Sequence, residues 1–139
     1  MATEIERKFL VNSDAWRRFV SRSSAIRQAY LSQTGAATIR VRIVDDAKAF
    51  LTIKSREPGP VRSEFEYSIP VDDARSLVAA RVGVLIEKRR HIVEAGDLRW
   101  EIDVFEGAHA GLVIAEIELP DASTAFERPS WIGAEVTGD

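Results

Sequence analysis

Charged side chains recur at i and i+2 in one segment after another, each pair of a single sign, and this spacing constrains the chain more than any other feature. The pairs are Glu4 and Glu6 followed by Lys8, Arg40 and Arg42, Lys54 and Arg56, Glu64 and Glu66, Lys88 and Arg90, Glu101 and Asp103, and Glu116 and Glu118. A β-strand sends alternate side chains to opposite faces, so each pair shares one face. The positions between them are apolar: Ile5 and Phe9, Ile39, Val41 and Ile43, Leu51 and Ile53, Val113, Ala115 and Ile117. One such pair would ordinarily mark the solvated face of an antiparallel sheet. Here the opposite faces are apolar enough to need cover, and adjacent like charges repel without a counter-charge. Together these facts turn the charges inward, into a closed sheet.

The same periodicity predicts strands over 4–11, 26–31, 37–44, 49–56, 62–69, 84–94, 98–105 and 112–119. Turn residues punctuate them: Thr34-Gly35, Asp45-Asp46, Pro58-Gly59-Pro60, Gly96-Asp97 and the stretch Gly107 to Gly111. Two helices interrupt the rhythm. Ser13-Asp14 offers an N-cap to a short helix carrying Trp16, Phe19 and Val20, expected on the outside of the sheet. Asp72 offers another to a helix over 72–81 with Ala74, Leu77 and Val78 on one face and Gly83 as a stop signal. Eight is the strand number whose closed interior holds one small ligand. The expected fold is therefore α+β, a closed eight-stranded antiparallel β-barrel, or tunnel, with a few exterior helices, in a single domain over 1–139.

With no cysteine in 139 residues, disulfides, zinc-thiolate sites and thiol nucleophiles are excluded. The 19 basic and 22 acidic residues nearly balance, which speaks against a nucleic-acid partner held by a basic surface. No stretch approaches the roughly 18 consecutive apolar residues of a membrane span, so a cytoplasmic chain without a membrane partner is expected.

A lumen crowded with Arg, Lys, Glu and Asp is costly to desolvate unless the signs compensate or a ligand supplies the missing charge. A polyanion together with a divalent cation would supply it. Arginine and lysine suit a chain of phosphates, and carboxylates without nearby histidine or cysteine suit Mg²⁺ or Mn²⁺.

The run Glu4-Ile5-Glu6-Arg7-Lys8, followed in order by Arg40-x-Arg42, Lys54-x-Arg56, Lys88-x-Arg90, Asp103 and Glu116-x-Glu118, resembles the CYTH superfamily, the triphosphate tunnel metalloenzymes. The resemblance spans nearly the whole chain. It implies that Lys8, Arg40, Arg42, Lys54, Arg56, Lys88 and Arg90 bind phosphate. It implies that Glu4, Glu6, Asp103, Glu116 and Glu118 hold the metal, with Glu64 and Glu66 as further lumenal members. Tyr30 matches a position of the compact bacterial members near the tunnel mouth, and packing against a helix is an equal reading of it. The expected reaction is attack of a metal-positioned water on a terminal phosphorus, with Glu116 or Glu118 orienting the water and Lys54 and Lys88 stabilising the leaving phosphate. Related proteins continue into a C-terminal helix beyond the last residues present here.

Within the family, inorganic tripolyphosphate, thiamine triphosphate and nucleoside triphosphates are all substrates, and adenylate cyclisation also occurs. No insertion here would house an organic group, which favours inorganic tripolyphosphate. Outside the family, a noncatalytic polyphosphate-binding module would keep the basic pairs without the carboxylates, and an interaction scaffold would turn all the pairs to water. The partner expected is a small-molecule triphosphate, and the outer surface leaves room for a homodimer. His91 is expected on the barrel exterior, His109 in a solvated turn, and Trp16, Trp100 and Trp131 in packing roles.

Overall fold

A computed structural model describes residues 3–56 and 60–138. Nine strands form one antiparallel sheet: β1 Thr3–Val11, β2 Val20–Ser32, β3 Ala37–Val44, β4 Lys48–Ser55, β5 Val61–Ile69, β6 Val82–Ala95, β7 Leu98–Glu106, β8 Val113–Glu118 and β9 Ile132–Glu135. Their order is β5-β4-β3-β2-β6-β7-β8-β1-β9, and a further β5–β1 pairing closes the first eight into the expected barrel. Closure joins Glu4 to Arg62 and Ile5 to Val61. β9 lies outside that cycle and pairs with the second half of β1.

The helices are fewer and shorter than the sequence suggests. The helix expected after Asp14 is a 3-10 turn over Ala15–Phe19, and Val20 already opens β2. The second is α1, Val71–Val78; it starts at Pro70 rather than at an Asp72 cap, with Asp72 and Asp73 in its first turn where the helix dipole favours them. Gly83 lies within β6 at φ 75° and does not end the helix. β2 and β6 run longer than expected because they pair with each other from Val20–Val93 to Tyr30–Val82. Of the turns, Asp45 and Asp46 both take positive φ, which aspartate tolerates, and Asp45 Oδ1 accepts the Ala25 amide at 2.7 Å. Of the Pro58-Gly59-Pro60 turn, Pro58 and Gly59 fall outside the described residues.

Strand alternation puts the hydrophobic core on the outside of the barrel wall. Phe9, Trp16, Val93, Trp100, Ile102, Ala115, Ile117, Leu119, Trp131 and Ile132 form one buried cluster, covered by the 3-10 turn and the segment between β8 and β9. A second cluster, Val41, Ile43, Ala49 and Ala74, lies beneath α1. Each Val, Ile, Leu or Phe among them contributes roughly 1.5–3 kcal/mol by leaving water. The stability of the fold therefore comes from its outer face, which leaves the inner face free to be charged. No described helix is long and apolar enough to cross a membrane.

Candidate active site

The barrel encloses a cavity of about 700 Å³. Of the residues singled out from sequence, Glu4, Glu6, Lys8, Tyr30, Arg40, Arg42, Lys54, Glu64, Glu66, Lys88, Arg90, Glu116 and Glu118 all line it. Two do not. Arg56 follows the last residue of β4, is exposed, and donates to the Gln33 carbonyl. Asp103 is buried against the cavity, and both its oxygens are engaged by neighbouring cations.

Those cations are on β6. Arg90 reaches Asp103 through Nε at 2.8 Å and Nη2 at 2.9 Å, and Lys88 Nζ stands 2.6 Å from Asp103 Oδ2. The strand register enforces this, because Arg90 and Asp103 are direct cross-strand partners. Burial disfavours the Asp103 charge, yet the hydrogen bonds and charge of Arg90, reinforced by Lys88, hold its carboxyl well below the usual range. Lys88 moves the other way, down to about 8, because burial and the neighbouring Arg90 and Arg42 outweigh the help from Asp103.

A second group centres on Lys54. Its Nζ lies 2.8 Å from Glu4, 3.4 Å from Glu64 and 3.6 Å from Glu6. A single ammonium cannot neutralise three carboxylates. Burial and the Glu64 carboxyl raise Glu4 to about 6 in spite of the ion pair. Glu4 Oε1 sits close to Lys54, but off the angle of a hydrogen bond, and is buried with no hydrogen-bond donor. Burial and then Glu6 raise Glu116; burial and Glu4 raise Glu118. The carboxylates thus meet in like-charged pairs, Glu4 with Glu64 and Glu6 with Glu116.

Other cations of the lumen, Lys8 on β1 and Arg40 and Arg42 on β3, are uncompensated. Among the described residues, Lys8, Arg40 and Arg42 have no carboxylate within ion-pair distance. Arg42 Nε donates to Gln28 Oε1 at 2.9 Å, Arg40 reaches Thr52 Oγ1 at 3.5 Å, and Arg40 Nε is buried without a partner. Burial, followed by Arg40 and Arg90, lowers Arg42 to about 10. Unpaired buried cations of this kind call for an anion.

Sequence reasoning missed Gln28, Thr52 and Arg62, which also line the cavity. Their signal is the same two-residue spacing, continued from Tyr30, Lys54 and Glu64. Leu10, Ile86, Phe105, Leu112 and Ile114 line it too, where the charged alternation gives way to apolar residues. His91 packs outside, 5.2 Å from the Trp16 ring and hydrogen-bonded to Ser23. His109 is exposed, with its ring edge-on to Phe105.

Comparison with known proteins agrees with this picture. The profile of the CYTH domain family matches residues 2–138. The chain is similar to a protein from Acetivibrio thermocellus named inorganic triphosphatase, 42% identical over 140 residues that span 100% of this chain and 88% of that one. It is also similar to an inorganic triphosphatase of Nitrosomonas europaea, 38% identical over 99% of this chain and 91% of the other. Among solved structures, that of an inorganic triphosphatase superposes with a TM-score of 0.65 at 36% identity, covering 100% of this chain and 89% of that one. A Pyrococcus horikoshii protein shares the fold, with a TM-score of 0.70 at 22% identity over 86% of this chain and 79% of its own.

Proposed function

The chain belongs to the CYTH domain family, and from that premise we propose that it is a metal-dependent hydrolase cleaving inorganic tripolyphosphate to pyrophosphate and phosphate. The observation that carries the reading is a set of unpaired cations, Arg40 and Arg42 on β3 and Lys8 on β1, sharing one cavity with carboxylates that press on one another. A triphosphate satisfies the first, and a divalent cation the second.

Membership implies a divalent-metal requirement, and the donor set fits one. Among the described residues no three His, Asp or Glu side chains converge as a ready cluster. Paired carboxylates are what Mg²⁺ or Mn²⁺ uses when substrate phosphates and water complete the shell. Glu4, Glu6, Glu116 and Glu118 would hold it, whereas Asp103 already serves Arg90 and Lys88. Bound there, the metal would neutralise phosphate oxygens and lower the pKa of a coordinated water.

The chain's own groups supply the rest. Lys8, Arg40 and Arg42 grip phosphate oxygens, the two guanidiniums by paired hydrogen bonds. Glu116 or Glu118 orients the attacking water for in-line displacement. Lys88, fixed by Asp103, and Lys54 stabilise charge on the departing phosphate, a contribution that rests on their being already in place.

Phosphate release from tripolyphosphate, thiamine triphosphate and ATP, each with Mg²⁺, Mn²⁺ or chelator, tests the reading. Tripolyphosphate should turn over fastest and chelator should abolish release. Metal-independent release, or faster release from an organic triphosphate, would count against it.

A further inference from the structure

Among the described residues no side chain pairs with that of the cavity-facing Lys8, so its direction depends on its backbone, and that backbone lies on an unusual edge. β5 pairs with β1 only from Thr3 to Ile5, followed by a last bond from the Glu6 amide to the Pro60 carbonyl. Beyond that point the same edge of β1 is met by the C-terminal segment. The Lys8 amide donates to Thr137 Oγ1 at 3.0 Å, and the Val136 amide donates to the Lys8 carbonyl at 2.8 Å.

β9 itself is four residues long and, among the described residues, pairs only with β1, too little to hold its place by hydrogen bonds alone. What fastens it lies on the outer face. Arg7 donates to Glu135 through Nε at 2.8 Å and Nη2 at 2.5 Å, with its guanidinium 5.2 Å from the Phe126 ring centre. Thr137 Oγ1, which receives the Lys8 amide, in turn donates to Glu135 Oε2 at 2.7 Å. Contacts thus run without a break from Arg7 through Glu135 and Thr137 to the main chain of Lys8. The arginine holds Glu135 down to about 2, so the clasp is ionised at neutral pH.

We infer that Arg7 and Glu135 are positioning residues for Lys8, acting from outside the barrel through Thr137. An exposed ion pair adds little to global stability. Its effect is on where a phosphate-binding ammonium points, and a misaligned charge-assisted hydrogen bond holds phosphate less tightly. The inference rests on Lys8 binding substrate phosphate.

The test measures KM and kcat for tripolyphosphate, with thermal midpoints, in Arg7→Gln, Glu135→Gln, Thr137→Val and Lys8→Met, and in each of the first three combined with Lys8→Met. Expected are KM values about ten-fold higher in the single clasp variants, with kcat changed less than about two-fold and midpoints within about 3 °C of the parent. The exchange Arg7→Glu with Glu135→Arg should recover most of the affinity, and the clasp substitutions should add nothing once Lys8 is methionine. Unchanged KM in both Glu135→Gln and Thr137→Val, or losses that add to that of Lys8→Met, would overturn the inference while leaving the phosphate-binding role of Lys8 intact. A Lys8→Met variant with parental KM would overturn that role, and the inference with it.

Discussion

The two walls of the lumen carry similar side chains and opposite electrostatic accounts. On β6 and β7, Lys88 and Arg90 share Asp103 and Arg90 also meets Glu101 at 3.4 Å, so buried charge is matched within the protein. On β3, Arg40 and Arg42 have only Thr52 and Gln28, neutral groups that orient a guanidinium without neutralising it. The difference teaches that charge inside a barrel is of two kinds. Matched charge fixes geometry, and unmatched charge waits for a ligand.

The sharpest way to break the comparison is to remove the match. Asp103→Asn leaves two buried cations facing one another, and should cost about 3–5 kcal/mol in urea denaturation, with loss of turnover. Arg42→Met does the reverse. It should raise KM for tripolyphosphate about 10–150-fold, since a charge-assisted hydrogen bond is worth about 1.5–3 kcal/mol. The ligand-free protein should hold or gain stability, because a lone buried charge has been removed. Destabilisation by Arg42→Met comparable to that by Asp103→Asn would erase the distinction between the walls.

The carboxylates sharpen it further through pH. Glu4 titrates near 6 in the folded chain against 4.5 in the unfolded, so the folded state binds the extra proton and stability falls as pH rises through that window. Without metal, the parent should therefore lose about 2 kcal/mol relative to Glu4→Gln between pH 4.5 and 6.5, and added Mg²⁺ should restore it. The smallest effect belongs to Arg56→Ala, which should change KM less than two-fold and stability by under about 0.5 kcal/mol, because that side chain is outside the cavity.

The lumen was legible because period-two alternation fixes a shared face from two neighbouring residues. Thirteen of the fifteen residues given a site role from sequence line the cavity. What could not be read is which charges cancel. Lys54 meets Glu4 only through the β1–β5 pairing that closes the barrel, which no local pattern encodes, whereas Arg90 meets Asp103 across the hairpin turned at Gly96-Asp97. Arg56 misled because it keeps the two-residue spacing one step past the end of β4. β9 was invisible for a similar reason. Its Ile-Gly-Ala-Glu has no alternation, and Gly133 is there because a Cβ would lie 3.1 Å from the Leu10 carbonyl oxygen, which is a demand of the partner strand alone. The first half of β2, Val20 to Ala25, is polar and becomes a strand through its pairing with β6.

All three tryptophans stand outside the barrel wall, and Trp100 and Trp131 are edge to face at 5.6 Å. Intrinsic fluorescence should thus follow the loosening of the outer shell and stay nearly blind to what enters the lumen. The same molecule offers a built-in optical probe for the docking of its C-terminal strand, kept separate from any signal of occupancy.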